Sequence, residues 1–178
     1  MSEFGKVYLD TVIKRFAYYK ELADKTFVQL EEKDFYFQPN EASNSIAVII
    51  RHMSGNMLSR WTNFLTEDGE KEWRNRDTEF ENSPSASLDM LMDSWNKGWD
   101  CMFSSLRSLS ADDLLKTVYI RHEAHTVIDA INRQLAHYPY HVGQVVYLGR
   151  LIKDGGWKSL SIPKGQSDAF NQSMYGKS

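Results

Sequence analysis

Two histidines, His137 and His141, stand four residues apart in the stretch Arg133-Gln134-Leu135-Ala136-His137-Tyr138-Pro139-Tyr140-His141-Val142-Gly143-Gln144. In a helix that spacing is one turn, so both imidazoles leave the same face. Neutral imidazoles placed this way can share one metal ion, and histidine is the commonest side chain in that role. Two ligands rarely hold a metal alone, so the pattern asks for a third. The competing reading of the pair is two polar residues hydrogen-bonded at a helix surface.

A third candidate is His52, beside an apolar stripe of Ile46, Ile49, Ile50, Met53, Met57, Trp61, Phe64 and Leu65. It falls at the edge of the buried face, where a side chain points into a space between helices. Three neutral histidines leave one coordination position open for water or substrate, as in catalytic divalent-metal sites. Asn56 and Gln144 each lie one turn beyond a candidate ligand. They either orient a bound water or substrate or are ordinary polar residues. Arg60 and Arg133 either bind an anionic substrate group or pair with an acidic loop. His122 and His125 sit in a polar connection and are expected at the surface or behind the ligands. Cys101 is expected to be a small buried hydrophobe. A glycine-rich phosphate loop, a serine nucleophile elbow and an H-E-x-x-H motif are all missing from the sequence.

The elements that must carry these residues follow from periodicity. Val7, Val12, Phe16, Tyr19, Leu22, Ala23, Phe27 and Leu30 predict a first helix over 4–31, followed by a connector over 32–44 with Pro39. The His52 helix begins near Ser43–Ser45, whose hydroxyls can cap free amides. Residues 66–86 mix charges without a period, which predicts a long solvated loop pinned by Trp73 and Phe80. Ser85 or Ser87 caps a third helix with the stripe Leu88, Leu91, Trp95, Trp99, Met102, Leu106 and Leu109. Gly98 inside it suggests close packing. Residues 110–125 form a connection in which Lys116–Arg121 alternates and predicts a short strand or hairpin arm. Thr126 and Asp129 open the last helix in the manner of a capping box. His141 and His137 lie about 40° and 80° from Val127 around that helix, flanking its apolar face. Pro139 between them removes the bond to the Leu135 carbonyl and is expected to kink the helix. Gly155-Gly156 ends it. Trp157, Leu160, Ile162 and Phe170 are candidates to pack part of the tail.

These patterns predict an all-α fold: a four-helix bundle with one long crossover loop and, before the last helix, a short hairpin. One domain over 1–178 is expected, with its core at about 5–156 and an extended tail over 157–178. Apolar residues make up 42% and charged residues 25%, values usual for a globular chain. A net charge of −3 argues against a nucleic-acid footprint. One cysteine excludes an intramolecular disulfide and fits a reducing compartment, so the expected location is cytoplasmic. No secretory or membrane-spanning run is visible in the sequence.

The stretch Ile49-Ile50-Arg51-His52-Met53, taken with His137-x-x-x-His141-x-x-Gln144, resembles the DinB-like (YfiT-like) superfamily. Ser54 through Trp61, Asp68-Gly69-Glu70-Lys71, and Arg133 through Gln144 are similar to its DUF1572 branch. The tail Ile162-Pro163-Lys164-Gly165-Gln166-Ser167 fits as well, and the resemblance covers roughly residues 5–170. It implies an antiparallel bundle, often a homodimer, with a divalent ion such as Zn or Ni on His52, His137 and His141. Some relatives are thiol transferases using a low-molecular-weight thiol such as bacillithiol or mycothiol; others are isomerases or lack an assigned activity. The reaction does not transfer with the fold. The leading expectation is a metal-dependent enzyme of the thiol S-transferase type acting on a small molecule. Metal-dependent hydrolysis is the alternative, and a non-catalytic bundle that binds metal or ligand in a stress response is a third reading.

Overall fold

Hydroxyl side chains start three of the long helices. The Val48 amide donates to Ser45 Oγ at 3.3 Å, Met90 to Ser87 Oγ at 3.3 Å, and Asp129 to Thr126 Oγ1 at 3.2 Å. Each bond satisfies one of the amides that a helix start leaves without a partner. The computed structural model describes residues 3–81 and 87–175; Ser85 and the end of the tail lie outside them.

The described residues are mostly helical. In chain order they form α1 (Glu3–Phe27), α2 (Glu32–Phe35), α3 (Ile46–Trp61), α4 (Arg76–Glu79), α5 (Leu88–Ser108), the strands β1 (Thr117–Ile120) and β2 (Glu123–Thr126), then α6 (Val127–Lys153) and α7 (Ser167–Tyr175). Contacts among the long helices close a ring: α3 packs on α5, α5 on α1, α1 on α6, and α6 on α3. Gly98 serves the α3–α5 contact, since a Cβ there would lie 2.9 Å from Met57 Cε and 3.1 Å from Ser54 Cα.

Three details depart from the sequence pattern. The first helix ends at Phe27 rather than 31, and the chain turns through Val28–Leu30 so that Phe27 meets Phe35 at 5.5 Å between ring centroids. Val7 is 57% exposed, because Leu9, Val12 and Phe16 set the buried face and Val7 lies about 200° around from Leu9. The His52 helix stops at Trp61. Asn63 then takes a left-handed conformation (φ 51°), which leaves Phe64 buried and Leu65 exposed.

The expected hairpin is present, with β1 and β2 antiparallel and Ile120 opposite Glu123. Its turn residues, Arg121 and His122, both have positive φ (55° and 64°), which L-residues seldom adopt. Asp68 stabilises the turn: the Arg121 amide donates to its Oδ1 and the His122 amide to its Oδ2, both at 2.8 Å. The Gly69 amide also donates to the Tyr119 carbonyl at 2.8 Å, so the segment after α3 is tied to the hairpin.

Helix α6 runs through Pro139 to Lys153. Tyr138 next to the proline is fully buried and links two helices through a polar chain. Trp61 Nε1–H donates to Tyr138 Oη at 3.0 Å, and Tyr138 O–H donates to Asn56 Oδ1 at 3.0 Å. The tail is tied at its start, where the Lys158 amide donates to Gln29 Oε1 and Gln29 Nε2 returns a bond to the Lys158 carbonyl. Trp157 and Leu160 are half-buried, but Ile162 and Phe170 remain exposed and α7 buries none of its residues. The tail therefore packs only over its first few residues.

Replacing Tyr138 by Phe removes the hydrogen-bond partner of both the buried Trp61 N–H and the buried Asn56 side-chain carbonyl. Each such loss costs about 1–3 kcal/mol. Urea unfolding should register a destabilisation of that order, and an unchanged midpoint would show that the chain contributes nothing.

Candidate metal centre

His52 comes from α3, and His137 and His141 from α6; their ring nitrogens converge. His137 Nε2 lies 3.4 Å from His52 Nε2 and 3.1 Å from His141 Nε2. One ligand nitrogen from each residue lies within 4.8 Å of the other two, and this is the metal-competent cluster among the described residues. The sequence reading of all three positions thus meets in one place.

The opposite nitrogen of each ring is held by an oxygen. His52 Nδ1–H donates to Glu79 Oε2 at 3.0 Å, His137 Nδ1–H to Gln134 Oε1 at 3.2 Å, and His141 Nδ1–H to Gln144 Oε1 at 3.0 Å. Carboxylate and carboxamide oxygens accept only, so each proton is drawn to Nδ1 and each Nε2 keeps a bare lone pair. Three lone pairs pointing at one another repel, and a cation between them removes the repulsion. Four nitrogens arranged tetrahedrally at about 2.0–2.1 Å from zinc stand about 3.3 Å apart. The two Nε2 separations given above bracket that spacing, so the donor set fits a divalent ion.

Burial also favours the neutral, ligating form. Desolvation, with His141 and His52 nearby, pushes His137 down to about 3. Desolvation likewise lowers His141, against the opposing bond to Gln144. Burial alone would raise the Glu79 carboxyl, but its bonds to His52 and Arg74 outweigh that and hold it below the usual range.

Glu79 is the part that sequence reasoning missed. It sits on α4, within the segment expected to be a solvated loop, yet it is buried and gripped by Arg74. Arg74 Nε donates to Oε1 at 2.8 Å and Nη2 to Oε2 at 2.9 Å. Phe80 packs beside His52, with centroids 4.8 Å apart. Trp73, the other expected anchor, is 60% exposed. The reason lies in what the segment packs on: its inner face meets a ring of charged and imidazole groups, so Glu79 and Phe80 turn inward and the indole does not. Gly55 makes the approach possible. A Cβ there would overlap Glu79 Oε1 and come within 3.0 Å of Glu79 Cδ.

His52 and His137 line a cavity of about 240 Å³, which Asn56, Arg60 and Gln134 also line. Asn56 thus faces the site while its Oδ1 holds Tyr138. Arg60 lines the cavity and pairs with Glu70 of the acidic segment at 3.3 Å, while also donating to the Gly69 carbonyl. Arg133 lines the cavity as well. Gln144 reaches the ligand His141 directly. His125 lies on β2, its Nδ1–H donating to Asp129 Oδ2 at 2.6 Å, and it does not line the histidine cavity. His122 is exposed on the hairpin turn.

Of the three oxygens behind the rings, Gln144 is already a candidate in the sequence, Gln134 leaves a signal there, and Glu79 leaves none. Gln134-x-x-His137 and His141-x-x-Gln144 are mirrored spacings on one helix, each setting a carboxamide one turn from an imidazole. Glu79 is 27 residues from His52, and nothing local marks it.

Gly55→Ala should displace Glu79 and free the His52 ring. Loss of such an outer partner typically weakens metal binding 10–100-fold. A competition titration with a zinc chelator should find that loss with the circular dichroism of the fold retained; wild-type affinity would show that Glu79 does not position His52.

Compared with family models, the chain matches the one described as a protein of unknown function (DUF1572) over residues 3–166. No curated protein matches it. Agreement over nearly the whole chain, histidine helices and charged segment included, places the protein in the DUF1572 family.

Proposed function

We propose that the chain is a metal-dependent enzyme in which His52, His137 and His141 hold one divalent ion, Zn or Ni, within an antiparallel four-helix bundle of the DinB-like kind. The observation that carries this reading is the convergence of three Nε2 atoms with every Nδ1 held by an oxygen. The ring of contacts among α1, α3, α5 and α6 supports the bundle. Imidazole donors suit zinc and nickel. A divalent ion with three imidazole ligands keeps a position open and lowers the pKa of a thiol or water that takes it, which supplies a nucleophile at neutral pH. The protein's own groups fix the geometry: Glu79, Gln134 and Gln144 hold the ring orientations, and the Arg74 fork holds Glu79.

Transfer of a small thiol to an electrophile is the reaction we assign, with the cavity lined by His52 and His137 as the place for the substrate. Purified protein should carry about one equivalent of zinc or nickel, and His137→Ala should lose it. The loaded protein should then accelerate addition of a bacillithiol-like thiol to a chromogenic electrophile well above the triple-histidine variant. Failure to bind any divalent ion after reconstitution removes the metal reading. Metal binding with a rate equal to the variant's removes the transferase assignment alone.

A further inference from the structure

The chain has nine arginines and twelve lysines. Five of those arginines, and none of the lysines, line the one small cavity beside His52 and His137: Arg60, Arg74, Arg76, Arg121 and Arg133. They arrive from five places, namely α3, the segment before α4, α4 itself, the hairpin turn and α6. For a protein with a net charge of −3, this is a strong local concentration of one sign.

Internal pairing does not account for it. Glu79 engages Arg74, and Glu70 is shared between Arg60 and Arg121, whose Nε donates to it at 2.9 Å. Two carboxylates against five guanidinium groups leave a surplus of three positive charges. Arg133 has no ion pair among the described residues, and Arg76 has only the Phe80 ring, 4.9 Å from its guanidinium carbon. Two donors deep in the wall are also unsatisfied: Arg74 Nη1 and Arg60 Nε are buried with no hydrogen-bond partner among the described residues, on side chains 2% and 6% exposed. Buried guanidinium N–H groups without acceptors are costly. Their presence at the wall of a positively charged cavity marks a place for acceptor oxygens.

From this geometry we propose that the cavity binds a small molecule through a doubly charged oxyanion, a phosphoryl group or a pair of carboxylates. Exclusive use of arginine points the same way, since its planar fork matches the paired oxygens of such groups where a lysine offers a point charge. At about 240 Å³ the cavity is smaller than the roughly 300–1,000 Å³ of sites for drug-sized ligands, so the ligand is compact. Resting on the metal reading, the dianion holds one end of the substrate while its reactive end reaches the histidine cluster that forms part of the same wall. Arg74 serves both, fixing Glu79 behind His52 with two of its nitrogens and offering the third to the anion.

The anion site is tested without the metal. Calorimetric titration of the full chain in the presence of chelator, using inorganic phosphate and succinate as dianions and glycerol as the neutral control, should show binding of at least one dianion and none of glycerol. Whichever dianion binds more tightly tells a phosphoryl from a dicarboxylate ligand. Arg76→Gln with Arg133→Gln, both at exposed positions, should weaken that binding at least tenfold while leaving zinc stoichiometry at the wild-type value. Absence of dianion binding, or equal binding by the double variant, overturns the proposal. Dianion binding by a chain that takes up no zinc keeps the anion site and removes the metal reading; zinc uptake without dianion binding does the reverse.

Discussion

Three imidazoles are each held from behind by an oxygen, and that constraint governs the rest of the site. A histidine hydrogen-bonded at Nδ1 to an oxygen that only accepts has one tautomer open to it while neutral. When Glu79, Gln134 and Gln144 impose this on three rings at once, the Nε2 lone pairs are left facing one another about 3 Å apart, in a pocket dry enough to oppose protonation of His137 and His141. Two of the anchors lie on the same helix as the rings they hold. The third crosses from a different segment and is itself clamped by a bidentate arginine.

Much of the surrounding structure can be understood as support for that arrangement. Tyr138 sits between the two α6 ligands in sequence, and its hydroxyl chain to Asn56 and Trp61 fixes α6 against the helix that carries His52. Gly55, three residues after His52, leaves the space that the Glu79 carboxylate occupies. Asp68 and Gly69 tie the segment following α3 to the hairpin, which brings Arg121 to the rim of the cavity through an otherwise unfavourable left-handed turn. A stretch whose composition reads as solvated loop is therefore one wall of the site.

The helices were largely legible in the sequence because their signals are local. Apolar stripes at intervals of three and four residues, with serine and threonine at the starts, locate the beginnings of α3, α5 and α6 to within a residue or two, and the alternation at Lys116–Arg121 marks the hairpin. The third histidine could be proposed because its place at the edge of a helical stripe is also a local property. Glu79, and the convergence of Arg74, Arg76 and Arg121 on Arg60 and Arg133, could not. Their roles depend on which distant groups the fold brings opposite them, and a charged residue without a period looks the same whether it faces water or a buried imidazole. Trp73 and Phe80 make the same point: both are large aromatics in one segment, and only the one opposite His52 is drawn inward.

The central claim is that the three Nε2 atoms are unprotonated and turned toward a shared point. Long-range ¹H–¹⁵N correlation NMR of the metal-free protein at neutral pH reads the protonation of each ring nitrogen directly. The account predicts a proton on Nδ1 of His52, His137 and His141 and none on any Nε2, with all three Nε2 signals shifting together when one equivalent of zinc is added. A proton on the Nε2 of any of the three, bridging to its neighbour, or a zinc response confined to one or two rings, would contradict it.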